Sequence, residues 1–354
     1  MKKKLLIVGK EQFGYHISSV QYCKYLKADF DITYLCLDYG MTKIYEEVVD
    51  IKYVSRNGNM IQRYIRFISA ILEVINKQRI SCIFINYFKG CSIIPFIYRR
   101  KYRIHLNIVS GNVSPKLVSR KIYNFLLSIE SYFFNRVFII SEGLKKLLNV
   151  SRHALILPLG ANPLYVKRQN KHRIHLLYVG TFTYRRLEDT IKGLKLFLEK
   201  LPHANIYYTI IGNGLYKEED ILLKFVNQFD LQDYIELTGY IPNNELYPYF
   251  EKANVGVSYI PLTAYYEFQP ATKTYEYLMA GMPVIATKTY ENSKVINHIN
   301  GVLISDNAKS FAEGIEKMYN HSNLFDENEI RFSVQNYTWS LIVNSMKDSI
   351  LAVK

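Results

Sequence analysis

The chain has 354 residues, 49% of them hydrophobic and 21% charged, with a formal net charge of +14. That length exceeds one domain of about 100–200 residues and predicts two, each able to bury a core, while the composition excludes a disordered or collagen-like chain. The four cysteines, Cys23, Cys36, Cys82 and Cys91, form no C-x-x-C pair, which argues against a zinc knuckle or a disulfide framework and fits buried thiols in a reducing cytosol.

At the start, Lys2-Lys3-Lys4 is followed by only Leu5-Leu6-Ile7-Val8, too short for a signal-peptide core. Continuous apolar runs predict first-half strands over residues 5–9, 32–37, 82–85, 104–109, 137–140 and 155–157. Between them Ile61, Ile65, Ile68, Leu72 and Ile75 keep a helical spacing. The apolar windows 81–98 and 122–140 are interrupted by Asn86, Lys89, Glu130, Asn135 and Arg136. Neither offers the roughly 18 uncharged residues of a spanning helix. The pattern breaks near residues 158–172, where Pro158, Gly160 and Pro163 precede the polar run Lys167-Arg168-Gln169-Asn170-Lys171-His172. A hinge is expected there. Second-half strands follow over residues 174–180, 206–212, 235–238, 255–259, 284–286 and 302–304, with Leu187, Ile191, Leu194, Leu198 and Leu201 marking the helix after the first. Two parallel sheets with helices on both faces are predicted. The expected domains are residues 1–165 and 166–337, with a last helix at about 338–354 packing back onto the first. The ligand is expected at the carboxyl ends of the strands, in a cleft between the sheets.

Two segments place charge at such ends. Tyr178-Val179-Gly180-Thr181 closes a strand and leads to Arg185-Arg186. A guanidinium can hold a phosphate with two hydrogen bonds; the plain alternative is a solvated pair before a helix. The second segment runs from Gln269-Pro270-Ala271-Thr272-Lys273 through Glu276 to Gly281-Met282-Pro283. A helix opening after Pro270 would expose N–H groups to an anion, with Lys273 and Glu276 on one face. A surface ion pair is the plain alternative. Ile210-Ile211-Gly212-Asn213-Gly214 is a further strand-end turn, serving a ligand or a close neighbour equally well. In the first half, Gly9 to Gly14 and His16 form a glycine-bearing turn that matches neither G-x-G-x-x-G nor a phosphate loop. Gly14 and His16 are acceptor-side candidates, with capping or packing as the alternative for His16. Asp29-Phe30-Asp31 has the D-x-D form of some metal-binding transferases, but such acids are common in turns. No other cluster has ligand spacing, so no metal is expected.

Together these segments resemble the group 1 retaining glycosyltransferases of family 4, which have the GT-B fold of two Rossmann-like domains. Tyr178–Arg186 looks like that family's Val-Gly-Arg-Leu-x-x-x-Lys-Gly segment, with Arg186 at the Lys position, Thr181 at the Arg position and Leu187 at the final Gly. Ile210–Gly214 resembles its Ile-x-Gly-x-Gly turn, Thr238–Pro242 its Gly-x-Val-Pro segment and Leu157–Gly160 its Ile-Pro-Asn-Gly linker. Pro270–Ala286 is the most specific match, to the Pro-Ser-Lys-x-x-Glu-Tyr-x-Ala-x-Gly-x-Pro-Val-Ile-Ala form of polysaccharide-assembly members. The resemblance implies that Glu276 grips a nucleotide ribose. It also implies a first Glu eight residues earlier; that position is Phe268, with Glu267 beside it. Either Glu267 substitutes or backbone N–H groups near Ala271 and Thr272 take over.

The expected function is transfer of a sugar from a nucleotide-diphosphate sugar, with retention, no metal and no cofactor, to a glycan or lipid-linked acceptor in surface polysaccharide assembly. Arg185, Arg186 and Lys273 are the candidates to stabilise the leaving diphosphate. Gly180, Thr181, Gly212, Thr272, Glu276 and Glu267 are the candidates for donor binding. The alternatives are a nucleotide-sugar epimerase of the same fold, with His16 and Glu267 as acid–base groups, or a GT-B subunit that only binds. Residues 1–170 hold 27 Lys and Arg against 10 Asp and Glu, while residues 171–354 hold 18 against 21. The basic half predicts an anionic membrane surface, with a merely solvated basic surface as the plain alternative, rather than nucleic acid, for which no binding module is recognisable. The expected location is cytoplasmic, peripheral on the inner face of the membrane.

Overall fold

The computed structural model describes residues 2–150, 153–168, 173–321 and 324–351. The chain divides into two compact units: residues up to Leu159 together with the segment from Trp339 onward, and Gly160–Thr338. The first contains β1 (Lys3–Val8), β2 (Phe30–Asp38), β3 (Val49–Ser55), β4 (Cys82–Asn86), β5 (Arg103–Ile108), β6 (Arg136–Ile139) and β7 (Leu155–Ile156). They form one parallel sheet in the order β3-β2-β1-β4-β5-β6-β7. The second contains β8 (Ile174–Val179), β9 (Ile206–Ile211), β10 (Ile235–Gly239), β11 (Val255–Ser258), β12 (Val284–Thr287) and β13 (Gly301–Ile304). Its order is β10-β9-β8-β11-β12-β13, again all parallel. In both sheets the direction of winding reverses beside the first strand, at β1/β4 and at β8/β11. Ligands of open α/β sheets bind outside the carboxyl ends at such a reversal.

The central strands are apolar throughout because helices cover both faces; all five residues of β4 and the last four of β8 are buried. Among the described residues, β3 is the one strand the sequence did not reveal. It sits at the sheet edge, and its Asp50 and Lys52, ion-paired at 3.2 Å, interrupt the apolar run. An edge strand with one wet face alternates rather than running apolar. Helix Met60–Lys77 begins with a capping box in which Asn59 and Gln62 satisfy each other's backbone N–H. Helix Trp339–Leu351 packs on helix Ile17–Leu26 in the first unit, with Trp339 buried edge-on to Tyr22 at 6.0 Å.

The expected hinge falls partly on residues 169–172, which lie outside the described residues. Arg168, just before them, is not solvated. Its guanidinium is 5% exposed, pairs with Glu327 at 2.9 Å and donates to the carbonyls of Ala253 and Ala280 at 2.9 and 2.7 Å. The second residue of the polar run is thus a strut of the second unit. All four cysteines are free and buried. Burial pushes the Cys36 thiol up to about 11, so it stays protonated and inert at neutral pH.

Two imidazoles are held neutral inside the sheets. Burial, then the charges of Arg136 and Arg103, pushes His105 down to about 4; burial, then Arg173 and Lys252, does the same to His175. The unfolded chain takes up these protons near pH 6.5 and the folded chain only near 4. Their stabilising effect is therefore complete above pH 6.5 and is lost as pH falls through that window, about 3 kcal/mol per group at the end of it. Neither ring nitrogen of His105 has a hydrogen-bond partner. His105→Leu is expected to keep the melting temperature at pH 7 and to flatten its decline between pH 6.5 and 4, read by thermal denaturation across that range.

Candidate functional site

The site of the second unit starts from two glycines. Gly180 directly follows strand β8 and Gly212 directly follows β9, and a Cβ on Gly212 would lie 1.8 Å from the Gly180 carbonyl oxygen. Gly212 also has φ +144°, a conformation only glycine adopts without strain. The Gly180 N–H donates to Ile211 at 3.0 Å and the Gly212 N–H to Gly239 at 2.9 Å. Three strand ends are thereby laced together with no side chains between them. The result is a pocket of about 300 Å³ lined in part by Gly180, Thr181, Gly212, Tyr240, Asn243 and Lys273.

One wall is the helix Thr272–Met279. Ala271 supplies no capping side chain and only its carbonyl meets the first turn, accepting the Thr274 N–H at 3.2 Å; the helix start carries the positive end of the helix dipole. The helix stops at Gly281, φ +73°, through Gly281 N–H to Leu278 and Met282 N–H to Tyr277, both 2.9 Å; this is a Schellman stop. Arg168 and Arg331 donate to the Ala280 carbonyl at 2.7 and 3.2 Å. The helix is fixed in rotation by Tyr277. Its buried ring lies against Gly256 of β11, where a Cβ would come within 2.4 Å of it, and its hydroxyl accepts the Val179 N–H at 2.8 Å. On the same helix Lys273 ion-pairs with Glu276 and donates to Asn243 Oδ1 at 3.3 Å.

The arginine pair sits on a strained turn: Tyr184 and Arg186, on either side of Arg185, have φ +59° and +54°. Non-glycine residues in this region cluster at functional sites. Arg185 lies over the Tyr266 ring at 4.3 Å, and its buried Nη1 has no hydrogen-bond partner. A buried guanidinium nitrogen left without an acceptor is costly, and an incoming anion would satisfy it. Arg186 instead meets Asp189 at 2.7 Å and Asp306 at 3.4 Å. Burial works against its charge, but Asp189 and the other acids around it hold its pKa above the usual value. The Tyr259 hydroxyl donates to Asp189 at 3.2 Å. Burial, then the Asp189 charge, pushes that phenol up. Glu267 accepts the Tyr290 N–H at 2.9 Å, and the Phe268 ring packs edge-on to Tyr290 at 5.1 Å.

Of the expected donor residues, Gly180, Thr181, Gly212 and Lys273 share the pocket, with Glu276 joined to it through Lys273 and Thr272 at the helix start. Arg185, Arg186 and Glu267 lie outside its lining, on the 183–186 turn and the 262–267 segment. In the first unit, Gly14 takes φ +96° against the Ile44 side chain. His16 opens helix Ile17–Leu26, its Nδ1 3.4 Å from Ser19 Oγ. Burial lowers the pKa of its imidazole against the pull of Glu11, which keeps the ring neutral at pH 7. Asp29 and Asp31 face Lys347 at 3.1 Å and Lys4 at 3.6 Å. Among the described residues no cluster of three or more His, Cys, Asp or Glu could hold a metal ion. Sequence reasoning missed Tyr240 and Asn243 as pocket residues and Asp189 and Asp306 as partners of Arg186. For the first two a signal existed, the Gly239-Tyr240-Ile241-Pro242 turn after a strand; the third lies one helical turn beyond Arg186.

Gly256→Ala would push a methyl into the Tyr277 ring, and Tyr277→Phe would leave the buried Val179 N–H without its acceptor. Each is expected to cost about 1–3 kcal/mol and to move Lys273 relative to Gly180. Denaturant titration reads the first effect. Wild-type ligand affinity in the surviving folded Gly256→Ala protein would show that the helix is not positioned this way.

Residues 173–321 match the family described as glycosyl transferases, group 1. No protein of curated function matches the chain in sequence. Among solved structures it is similar to sucrose-phosphate synthase from Thermosynechococcus elongatus, at 17% identity with a TM-score of 0.79, covering 98% of each chain. It is similar to a glycosyltransferase from Rickettsia africae, at 15% identity with a TM-score of 0.75 over 100% of both chains. It also resembles Anabaena HepE, solved in complex with UDP and glucose, at 10% identity and a TM-score of 0.78 over 99% of this chain and 100% of the other. Two parallel-sheet α/β units with these neighbours make the fold GT-B, and residues 173–321 of the second unit are similar to the group 1 glycosyl transferases.

Proposed function

We propose that the chain is a retaining glycosyltransferase of family 4 that uses a nucleotide-diphosphate sugar, bound by the second unit, and an acceptor bound by the first. The observation that carries this is the pocket at the ends of β8 and β9, walled by an uncapped helix start and Lys273. It joins backbone donors, a cation and a carboxylate on one short surface. Structures similar to this chain hold UDP with glucose or UDP-2-fluoro glucose, so UDP-sugars are the first donors to test.

In the proposed reaction the bond from the anomeric carbon to the diphosphate breaks, and its electron pair goes to the diphosphate. The acceptor hydroxyl oxygen bonds to the same face of the anomeric carbon, and its proton passes to the leaving phosphate oxygen. The Lys273 ammonium and the helix N–H groups stabilise charge that grows as the bond breaks, so they act more on the transition state than on the ground state. Arg185, with its unpaired Nη1, and Arg186 complete the positive side. Glu276 holds the ribose, Gly180, Thr181, Gly212 and Thr272 shape the donor cradle, and Glu267 lies toward the sugar. Gly14 and His16 belong to the acceptor side. Metal and cofactor have no part in this scheme. The acceptor is a glycan carried on lipid in surface polysaccharide assembly, met at the inner face of the membrane by a cytoplasmic, peripheral protein. No helix of the described residues is long and apolar enough to cross a membrane.

A thermal-shift series over UDP-, GDP-, ADP- and TDP-sugars tests the donor class. The cognate donor at a hundredfold excess over Kd should stabilise by about 2.7 kcal/mol; no shift with any of them overturns the reading. Lys273→Ala and Arg186→Ala are each expected to lower turnover at least about tenfold, from the loss of a charge-assisted hydrogen bond worth about 1.5–3 kcal/mol. Glu276→Ala should chiefly weaken nucleoside-diphosphate binding by calorimetry. Turnover should persist in EDTA, with Asp31→Asn close to wild type; loss on chelation with recovery in Mg²⁺ or Mn²⁺ would place a metal in the reaction.

A further inference from the structure

We propose that one face of the first unit docks on an anionic bilayer, through three successive helices that turn apolar side chains outward. This rests on the reading that the acceptor is carried on lipid, and it adds which residues meet the lipid.

Helix Leu117–Ser131 is inverted relative to an ordinary surface helix. It buries only Leu127 and Ser131. Its acid, Glu130, turns inward and accepts the N–H groups of Gly90 and Ser92 at 3.0 and 3.3 Å. Its outer side carries Val118, Ile122, Phe125 and Ile129, all exposed, with Val118 69% and Phe125 65% accessible. Their spacing of four, three and four makes one continuous stripe. A water-facing helix places such a stripe against the core; one that lies in a membrane interface places it outward, with basic residues beside it.

The neighbouring helices continue the face. The turn gripped by Glu130 leads into helix Ile93–Tyr98, where Phe96 is 73% exposed and Ile97 is exposed beside it. The Tyr64 hydroxyl donates to Gly90 of the same turn at 2.9 Å and holds helix Met60–Lys77 alongside, with Ile61 and Ile65 exposed. Residues 56–131 contain 13 Lys and Arg and only two acids, Glu73 and Glu130. Glu73 is paired with Lys77 at 2.6 Å and Glu130 faces inward. Exposed Lys89, Arg99, Arg100, Lys101, Lys116 and Lys121 are therefore left to meet something anionic. A second copy of this face would set like charge against like. An anionic headgroup layer over an apolar interior complements both the charge and the stripe, with the long basic side chains reaching back to the headgroups.

Co-sedimentation with vesicles of phosphatidylcholine alone, or mixed with phosphatidylserine, tests this. Binding is expected to the mixed vesicles only, and to be released near 1 M salt, where screening shortens to about 3 Å. The triple variant Val118→Ser, Ile122→Ser, Phe125→Ser should lose at least about tenfold in partitioning. Arg99→Gln, Arg100→Gln and Lys101→Gln should cost about fivefold per charge. As a reporter of insertion, Phe125→Trp should move its emission to shorter wavelength on the mixed vesicles and be quenched by brominated lipid. UDP binding by calorimetry should be unchanged in all variants, because none of these residues lines the pocket of the second unit; this keeps failure of the donor reading separate. Full binding by both multiple variants would place the membrane contact elsewhere and overturn this surface while leaving the lipid-linked reading intact. No binding by the wild type would overturn both, and a solution dimer broken by the triple variant would give the stripe to a second copy instead.

Discussion

The second unit depends on one contact: the ring of Tyr277 laid on the bare backbone of Gly256, with its hydroxyl accepting the N–H of Val179. This contact joins the helix that carries Lys273 and Glu276 to the strand that leads into Gly180. A helix can roll or slide on a sheet when only apolar side chains separate them. A buried hydroxyl with one backbone partner removes that freedom, because any shift leaves an unsatisfied N–H in the core at about 1–3 kcal/mol. The stop at Gly281 and the Arg168 strut fix the other end of the same helix. Its start can then remain uncapped without the helix fraying from its seat.

Positive charge around the site is held in two states. Lys273 and Arg186 are already matched by carboxylates, Glu276 for the first and Asp189 and Asp306 for the second. Arg185 is matched by a ring face, and one of its nitrogens has no acceptor. Pairing keeps the cations in place before an anion arrives and lowers the reorganisation needed when one does. The strained backbone at Tyr184 and Arg186 is the cost of presenting two consecutive guanidinium groups in different directions from one turn.

The first unit follows a different physical logic. Its sheet has the same winding, but the polar groups at the carboxyl ends of its strands are tied to each other: Asn107 donates to Asn86 at 2.8 Å, Asn86 to Ser19 at 3.2 Å, and Ser19 neighbours His16. Its outer helices leave apolar residues in water, at odds with the burial that stabilises the rest of the molecule. An inward Glu130 and an outward Phe125 on one helix are consistent with selection for a surface contact rather than for a soluble face.

How much was legible in the sequence follows from which interactions are local. Strands covered on both faces announced themselves as apolar runs. The helix 272–279 was readable from Pro270 and Gly281, since start and stop signals act on their own backbone. Gly180, Gly212 and Lys273 could be singled out because they sit beside those ends, and Glu276 because it shares a helix face with Lys273. Strand β3 was not, because an edge strand need not be apolar on both faces. Tyr240 and Asn243, the Asp306 partner of Arg186, the burial of Arg168 and the Tyr277–Gly256 seat were decided only by tertiary structure. Each joins residues tens of positions apart, and no local spacing encodes which side chain will meet a given glycine. The sequence determined which elements form and where their charged ends lie; packing decided which of those charges are matched, which one is left open, and which apolar stripe stays in solvent.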